Sequence, residues 1–271
     1  MKISFIGGGN MASALIAGLA GKLTAGEQIH VIDPNADARE KLHAQYGVSS
    51  APGIDGALAG SAVIVLAIKP QQMRDVAASL APHLDGAQPL ILSIAAGIRS
   101  ADLSRWLGGY GAIVRTMPNT PALIGLGITG MFAMEGVTAQ QKEAADAVMK
   151  AVGQTVWLGS EDQIDPVTAV SGSGPAYVFY FIEAMQQAAV EMGLPAEQGR
   201  QLALATFVGA AQLAAQSPDP VPVLRERVTS KGGTTHAALS SMEASGVKEK
   251  IVEAMKAAAA RGRELGEELG K

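Results

Sequence analysis

Residues 2–12, KISFIGGGNMA, restrict the folds open to this chain more than any other stretch. A β-prone run, Ile3, Phe5 and Ile6, leads straight into Gly7, Gly8 and Gly9, and Asn10, Met11, Ala12, Ser13, Ala14 and Leu15 suit a helix. Strand, tight turn and helix start in that order make Gly7-x-Gly9-x-x-Ala12 the opening of a doubly wound α/β sheet. The first glycine permits the turn, the second lets a pyrophosphate lie against the main chain, and a small third residue lets helix and strand pack closely. Amides left free at the helix start, on the positive end of its dipole, suit the phosphates of a dinucleotide. A glycine-rich turn that binds nothing has the same local pattern, so the rest of the chain has to decide.

The later segments continue the same architecture. After a helix over residues 13–22, residues 28–33 (QIHVID) read as a second strand ending in a carboxylate. Asp33 lies about twenty residues past the glycines, where an acidic side chain accepts hydrogen bonds from the 2′-hydroxyl of an NAD ribose and repels a 2′-phosphate. Asn35 and Arg39 follow at once and suit such a phosphate, which leaves NADH and NADPH both open. Asp33 before Pro34 also fits a plain turn and helix start. Residues 62–68 (AVIVLAI) form the near-continuous apolar run of a strand buried on both faces, ended by Lys69 and Pro70. A helix over 72–80, strands over 89–94 and 112–117, and strands over 128–134 and 155–158 around a helix over 139–152 complete a sheet of βαβ units. Ligands of such sheets lie beyond the carboxyl ends of the strands, which puts Lys69, residues 95–97 and residues 117–120 on the ligand side.

From about residue 162 the strand signals stop. Val178, Phe181, Ile182, Met185, Ala189 and Met192 recur at helical spacing up to Gly193, and Pro195 opens a further helix carrying Leu204, Phe207, Val208 and Ala211. Pro175 interrupts what is otherwise one helix from about residue 164 and predicts a kink or break over residues 171–175. Past the proline-rich residues 217–222, Val247, Ile251, Met255, Ala258 and Leu265 mark a last amphipathic helix. The expected division is an α/β domain over residues 1–161 and an all-helical domain over residues 162–271.

Composition removes several classes of function. The 21 basic and 25 acidic residues give a net charge of -4, without the clustered basic surface that nucleic acid or an anionic membrane requires. With no cysteine, the chain has no disulfide, thiolate metal site or thiol nucleophile. His30, His43, His83 and His236 are scattered without carboxylates at ligand spacing, so no metal is expected. The apolar stretch 3–23 behind Lys2 has the outline of a signal peptide. Asn10 and three glycines interrupt it, and it supplies the first strand, so a cytoplasmic protein is expected.

Residues 228–239, VTSKGGTTHAAL, hold the other informative turn. Gly232 and Gly233 enter Thr234, Thr235 and a helix expected to stop at Gly246. The two threonines fall where capping side chains and unpaired amides gather. Such a helix start takes an anion, and a carboxylate is the fitting one because the phosphates already have residues 7–12; an ordinary capped helix is the alternative. His236 reads as a first-turn helix residue.

Six blocks now stand in order over essentially the whole chain: IGGGNM (6–11), AIKP (67–70), SIAAG (93–97), RTMPNTPA (115–122), VSGSGPAYVF (170–179) and SKGGTT (230–235). Together they resemble the pyrroline-5-carboxylate reductases. The resemblance implies an N-terminal Rossmann-type doubly wound sheet and a C-terminal all-helical dimerisation domain, with rings of dimers common. It also implies reduction of 1-pyrroline-5-carboxylate to L-proline, the last step of proline biosynthesis, by NADPH with NADH possible. On the same ground Gly7, Gly8, Gly9, Asn10 and Met11 hold the pyrophosphate. Ala67, Ile68, Lys69 and Pro70, with Ala95, Ala96 and Gly97, flank the nicotinamide half, and Asn119 lines the same cleft. Ser230, Gly232, Gly233, Thr234 and Thr235 take the substrate carboxylate, with Thr235 near the ring nitrogen as the catalytic candidate.

Two departures bear on these expectations. Family members often carry proline in place of Lys231, which touches the shape of the loop, and a neutral or basic residue in place of Asp33, which touches the usual NADPH preference. A β-hydroxyacid-type dehydrogenase is the enzyme alternative, but its acid/base lysine belongs in the helical domain, whereas Lys69 ends a strand and suits a positioning or cofactor role. A nucleotide-binding protein without turnover is the other alternative, and it leaves the intact second glycine turn unexplained.

Overall fold

In the computed structural model, which describes residues 1–84, 86 and 88–271, the apolar runs of the first half form one sheet. Its strands are β1 (Ile3–Ile6), β2 (Ile29–Ile32), β3 (Ser49–Ala51), β4 (Val63–Leu66), β5 (Leu90–Ser93), β6 (Ile113–Met117), β7 (Gly127–Ala133) and β8 (Gly153–Trp157). Among the described residues their spatial order is β3-β2-β1-β4-β5-β6-β7-β8. Neighbours run parallel except β6 and β7, where Val114 lies opposite Ala133 and Met117 opposite Gly130. Helices α1 (Asn10–Leu19), α2 (Ala36–Tyr46), α3 (Met73–Leu80), α4 (Ser100–Trp106) and α5 (Ala139–Lys150) make the connections.

The two-residue period of a strand decides which helices each side chain meets. Val63 and Val65 of β4 join Phe5, Val31 and Leu92, beneath Leu15 of α1 and Val148 of α5. Ile64 and Leu66 point the other way, to Met73 and Leu80 of α3 and Leu103 of α4. Both faces are covered, which is why VIVL is apolar without a break. β3 is the strand that periodicity does not announce. It is a short edge strand with Ser49 and Ser50 exposed, and the Ser49 hydroxyl hydrogen-bonds Nδ1 of buried His30 at 2.9 Å.

The chain forms two compact units, Met1–Ser173 with Ala257–Lys271, and Gly174–Lys256. That division differs from one drawn at residue 161, for two reasons. Helix α6 (Ile164–Val167) packs on β6 and β7, so tightly that a Cβ on Gly130 would lie 2.7 Å from Val167 Cγ1. Thr168–Gly172 then widen into a π turn, in which Ser173 N donates to the Thr168 carbonyl at 2.8 Å. The predicted break is therefore a wide turn within a continuing helical path, and Pro175 falls in the first turn of α7 (Gly174–Glu191), where its missing N–H is harmless.

In the second unit α7 packs against α8 (Ala196–Gln216), followed by α9 (Val221–Arg227), α10 (Thr234–Ala244) and the first part of α11 (Val247–Leu269). The α7–α8 crossing is close because position 199 has no side chain: a Cβ there would sit 2.8 Å from Ala189 Cβ. Burial in this unit is sparse. Ile182, Ala189 and Ala203 are covered, while Phe179 is 64%, Tyr180 71% and Met192 76% exposed. The end of α11 belongs to the first unit, where Leu265 and Leu269 lie against Gly97 and Gly266 lies against Arg99. The Arg105 guanidinium donates to the Gly270 carbonyl at 2.5 Å. Among the described residues no helix is long and apolar enough to cross a membrane.

Candidate functional site

β1 ends where the order of the strands reverses, with β2 on one side and β4 on the other. Gly7 makes the turn there with φ +103°, a conformation that disfavours L side chains, and its N–H donates to the Ile32 carbonyl at 2.8 Å. Gly8 follows, buried, and Gly9 is the N-cap of α1 with no side-chain cap and no acidic residue in the first turn. The amides of an uncapped helix start with no acidic residue in its first turn suit an anion. A Cβ built on Gly9 would meet no atom within 4 Å, so the main chain here faces open space that a pyrophosphate can approach. Ala12, the third small residue, is buried against the core.

A crevice of about 540 Å³ opens on this turn. Gly7 and Gly9, Asp33 after β2, and Ala67, Ile68 and Lys69 after β4 share its wall, with Pro52, Gly53 and Ile54. The residues present fit a dinucleotide: glycine main chain at the switch point, an acidic group beyond β2 and an apolar floor. Around this wall Asn10 is exposed at the start of α1, Met11 packs against the core, and Pro70 begins the helical turn before α3. Ala95, Ala96 and Gly97 follow β5, the neighbour of β4.

Asp33 is held from two sides. Its Oδ2 accepts from the Gly8 N–H at 2.7 Å and its Oδ1 from the Asn35 N–H at 2.8 Å. The Asn35 side chain accepts from Ala38 N and caps α2, while Arg39 Nη1 donates to the Asp33 carbonyl at 2.6 Å. Asn119 is 9% exposed, and both ends of its side chain are engaged. Its Nδ2 donates to the Ser171 carbonyl at 3.2 Å and its Oδ1 accepts from Ile128 N at 3.0 Å. Ser171 is four residues before Pro175, which has no N–H to give it, so Asn119 supplies the donor that a regular helix would have provided.

The second glycine turn lies in the helical unit. Ser230, Lys231, Gly232 and Gly233 form a turn closed by Gly233 N donating to the Ser230 carbonyl at 3.0 Å, with Gly232 at φ +75°. Positive φ at the third position marks a type II turn, in which the second position favours proline but accepts other residues. Lys231 occupies that second position, so the turn keeps its form without the proline. Gly233 is the N-cap of α10 and no side chain caps the helix, leaving Thr234 and Thr235 in the first turn. The threonines are thus not the cap that their positions predict. Their hydroxyls stand beside first-turn amides with no acidic neighbour, again a seat for an anion.

Two of the histidines have other partners. His30 is buried, its Nε2 3.2 Å from Asp55 Oδ1, and His43 Nδ1 bonds the Val48 carbonyl at 2.8 Å. Among the described residues no three histidine or carboxylate side chains gather as a metal site.

Comparison with known proteins agrees with this arrangement along the whole chain. Residues 2–97 match the family model described as NADP oxidoreductase, coenzyme F420-dependent. Residues 161–265 match that for pyrroline-5-carboxylate reductase dimerisation. The pyrroline-5-carboxylate reductase of Pseudomonas aeruginosa is 46% identical over 270 residues, covering 100% of this chain and 98% of that protein. Among solved structures, a pyrroline-5-carboxylate reductase from Coxiella burnetii superposes with a TM-score of 0.92 at 39% identity, covering 97% of this chain and 98% of the other. A Plasmodium falciparum pyrroline carboxylate reductase with NADP bound gives 0.87 at 29% identity, covering 98% of each chain. With a relative this similar over its full length, and with both glycine turns formed, the chain belongs to the pyrroline-5-carboxylate reductase family.

Proposed function

We propose that this protein reduces 1-pyrroline-5-carboxylate to L-proline with NAD(P)H. The observation that carries the reading is the second glycine turn: a family member keeps an uncapped eleven-residue helix start behind Ser230, Gly232 and Gly233, where a carboxylate can be held. Gly7, Gly8, Gly9, Asn10 and Met11 hold the pyrophosphate, and Asp33 and Asn35 lie toward the adenine ribose. Ala67, Ile68, Lys69 and Pro70, with Ala95, Ala96 and Gly97, flank the nicotinamide. Asn119 supports that side by fixing the main chain at Ile128 and Ser171.

The chemistry the cofactor supplies when bound is a hydride for the carbon of the ring C=N bond. A ring nitrogen that carries a proton makes that carbon electrophilic, so no strong base is required of the protein. The amides and hydroxyls at Gly233, Thr234 and Thr235 fix the substrate by its carboxylate, and positioning of this kind supplies much of the rate. Thr235 hydrogen-bonds the ring nitrogen. Purified protein given pyrroline-5-carboxylate with NADH or NADPH will oxidise the cofactor; no oxidation with either overturns the reading. Thr235→Ala will lower kcat by at least about tenfold, the effect of one hydrogen bond of ~1.4–3 kcal/mol, with cofactor affinity little changed. An unaltered rate removes the role given to that hydroxyl.

The apolar faces left open on α7 and α8 support a homodimer, and the family resemblance extends this to rings of dimers. Sedimentation at micromolar concentration will show a dimer or larger; a monomer overturns the assignment. A chain without cysteine that works with a pyridine nucleotide fits the cytoplasm.

A further inference from the structure

The end of β2 carries a preference between the two cofactors that family membership leaves open. We propose that Asp33 makes this protein select NADH over NADPH; the inference rests on the crevice at Gly7 and Gly9 being the dinucleotide site.

The Asp33 carboxylate lies on the crevice wall and is fixed there by two main-chain donors, Gly8 N at 2.7 Å and Asn35 N at 2.8 Å, one to each oxygen. A carboxylate oxygen has two lone pairs, so each keeps one to offer after its amide bond is made. The 2′- and 3′-hydroxyls of an unphosphorylated ribose are donors and can use them. A 2′-phosphate brings only acceptor oxygens at neutral pH and carries up to two negative charges, so the carboxylate itself offers it repulsion and no donor.

A phosphate-binding pocket would need cations to offset that repulsion, and beside Asp33 there is, among the described residues, only Arg39, one of whose donors is already engaged. Arg39 gives Nη1 to the Asp33 main-chain carbonyl, and among the described residues Asp33 has no ion-pair partner. The Asn35 side-chain oxygen is employed as the cap of α2, and its amide nitrogen is a neutral donor that offsets no charge. Next to Asp33 the wall continues with Pro34, Pro52, Gly53 and Ile54, which carry no charge. Among the described wall residues the basic one is Lys69, beyond β4 and so across β1 from Asp33, with Asp75 on its own side. Gly8 adds a mechanical reason for the preference to be strong. Its amide belongs to the phosphate-binding turn, so the carboxylate that reads the ribose is tied to that turn and cannot swing away without loosening it.

The test is equilibrium binding of NADH and NADPH to the substrate-free protein, followed by cofactor fluorescence, together with kcat/KM for each. NADH is expected to bind at least tenfold more tightly and to give the higher kcat/KM. Asp33→Asn, which keeps the shape and removes the charge, and Asp33→Ser, which opens the space, will each tighten NADPH at least tenfold relative to NADH. Arg39→Gln will leave NADPH affinity unchanged in the otherwise native protein. Equal or tighter binding of NADPH by the native protein overturns the proposal, as does a selective loss of NADPH affinity in Arg39→Gln, which would show the guanidinium holding the phosphate. Binding of neither cofactor overturns the crevice as the dinucleotide site and the preference with it.

Discussion

Gly7→Ala will weaken dinucleotide binding by up to about a hundredfold and destabilise the protein in the same substitution. Two independent effects meet at this residue. Its φ of +103° lies where an L side chain is strained, an expense of ~1–3 kcal/mol. A Cβ there would also overlap the Ala67 carbonyl, standing 2.8 Å from the carbonyl carbon, and that is main chain at the end of β4, which cannot rotate away as a side chain can. The turn must therefore shift, and the Gly7 N–H bond to Ile32 is strained with it. Binding then has to restore the original turn against that strain, and ~3 kcal/mol corresponds to somewhat more than a hundredfold in affinity. Gly9→Ala separates the two effects. Gly9 has φ -71° and its Cβ would meet no atom within 4 Å, so the melting temperature will hold. The methyl group nevertheless stands in the open space proposed for the pyrophosphate, and affinity will fall at least about tenfold, or ~1.4 kcal/mol. Calorimetric titration with the preferred cofactor and thermal melting of both variants test this. A Gly9→Ala protein that binds as tightly as the native one removes the phosphate role from the helix start.

The contrast between these glycines marks how far the sequence can be read. The fingerprint places strand, turn and helix from local preference, and the apolar runs place β1, β2 and β4 to β6, because burial on both faces leaves a continuous signal. β7 and β8 are partly exposed, and only their β-prone residues mark them. β3 escapes that reading because three residues, two of them exposed serines, hold no periodicity; only its pairing with β2 makes it a strand. The tie between Asp33 and Gly8 spans 25 positions and exists only once β1 and β2 are side by side. Asn119 and Pro175 are each conspicuous in sequence, yet their connection passes through the Ser171 carbonyl, a main-chain atom with no sequence signature. The return of α11 to the first unit did leave a trace, since Gly262 and Gly266 lie four residues apart on one helix face and Gly270 follows at the same spacing just past its end. Position 266 lies against Arg99 and 262 against Asp165, and the amphipathic pattern of the same helix hides that seam from a reading based on hydrophobicity.

Glu161→Ala will destabilise the first unit by ~3 kcal/mol or more, although Glu161 lies far from both glycine turns in sequence. Arg115 stands on β6 with its side chain 6% exposed, and its Nη1 donates to Glu161 Oε1 at 2.8 Å. The same oxygen accepts from Ser100 N at 2.7 Å, so the carboxylate also serves the start of α4. Glu161 is 23% exposed and keeps some access to water. The two members of the pair are therefore unequal. Without Glu161, a buried guanidinium keeps its charge and loses its ion-pair partner, and Ser100 N loses its acceptor. Without Arg115, as in Arg115→Leu, the carboxylate keeps the Ser100 amide and part of its hydration, so the loss will be the smaller, ~1–2 kcal/mol. Arg115→Leu combined with Glu161→Leu removes both charges and will be more stable than Glu161→Ala alone, since most of the single-variant loss is the penalty of an orphaned charge. Both tryptophans, Trp106 and Trp157, belong to the first unit, so the urea midpoint followed by their fluorescence reports this unit. Equal losses in the two single variants, or a double variant no better than Glu161→Ala, would show that burial of the arginine is not what sets the cost. The position matters for function because the segment matched by the dimerisation model begins at residue 161. The ion pair fastens that first residue to β6 and to the start of α4, so the same substitution will loosen the segment that leads into α6.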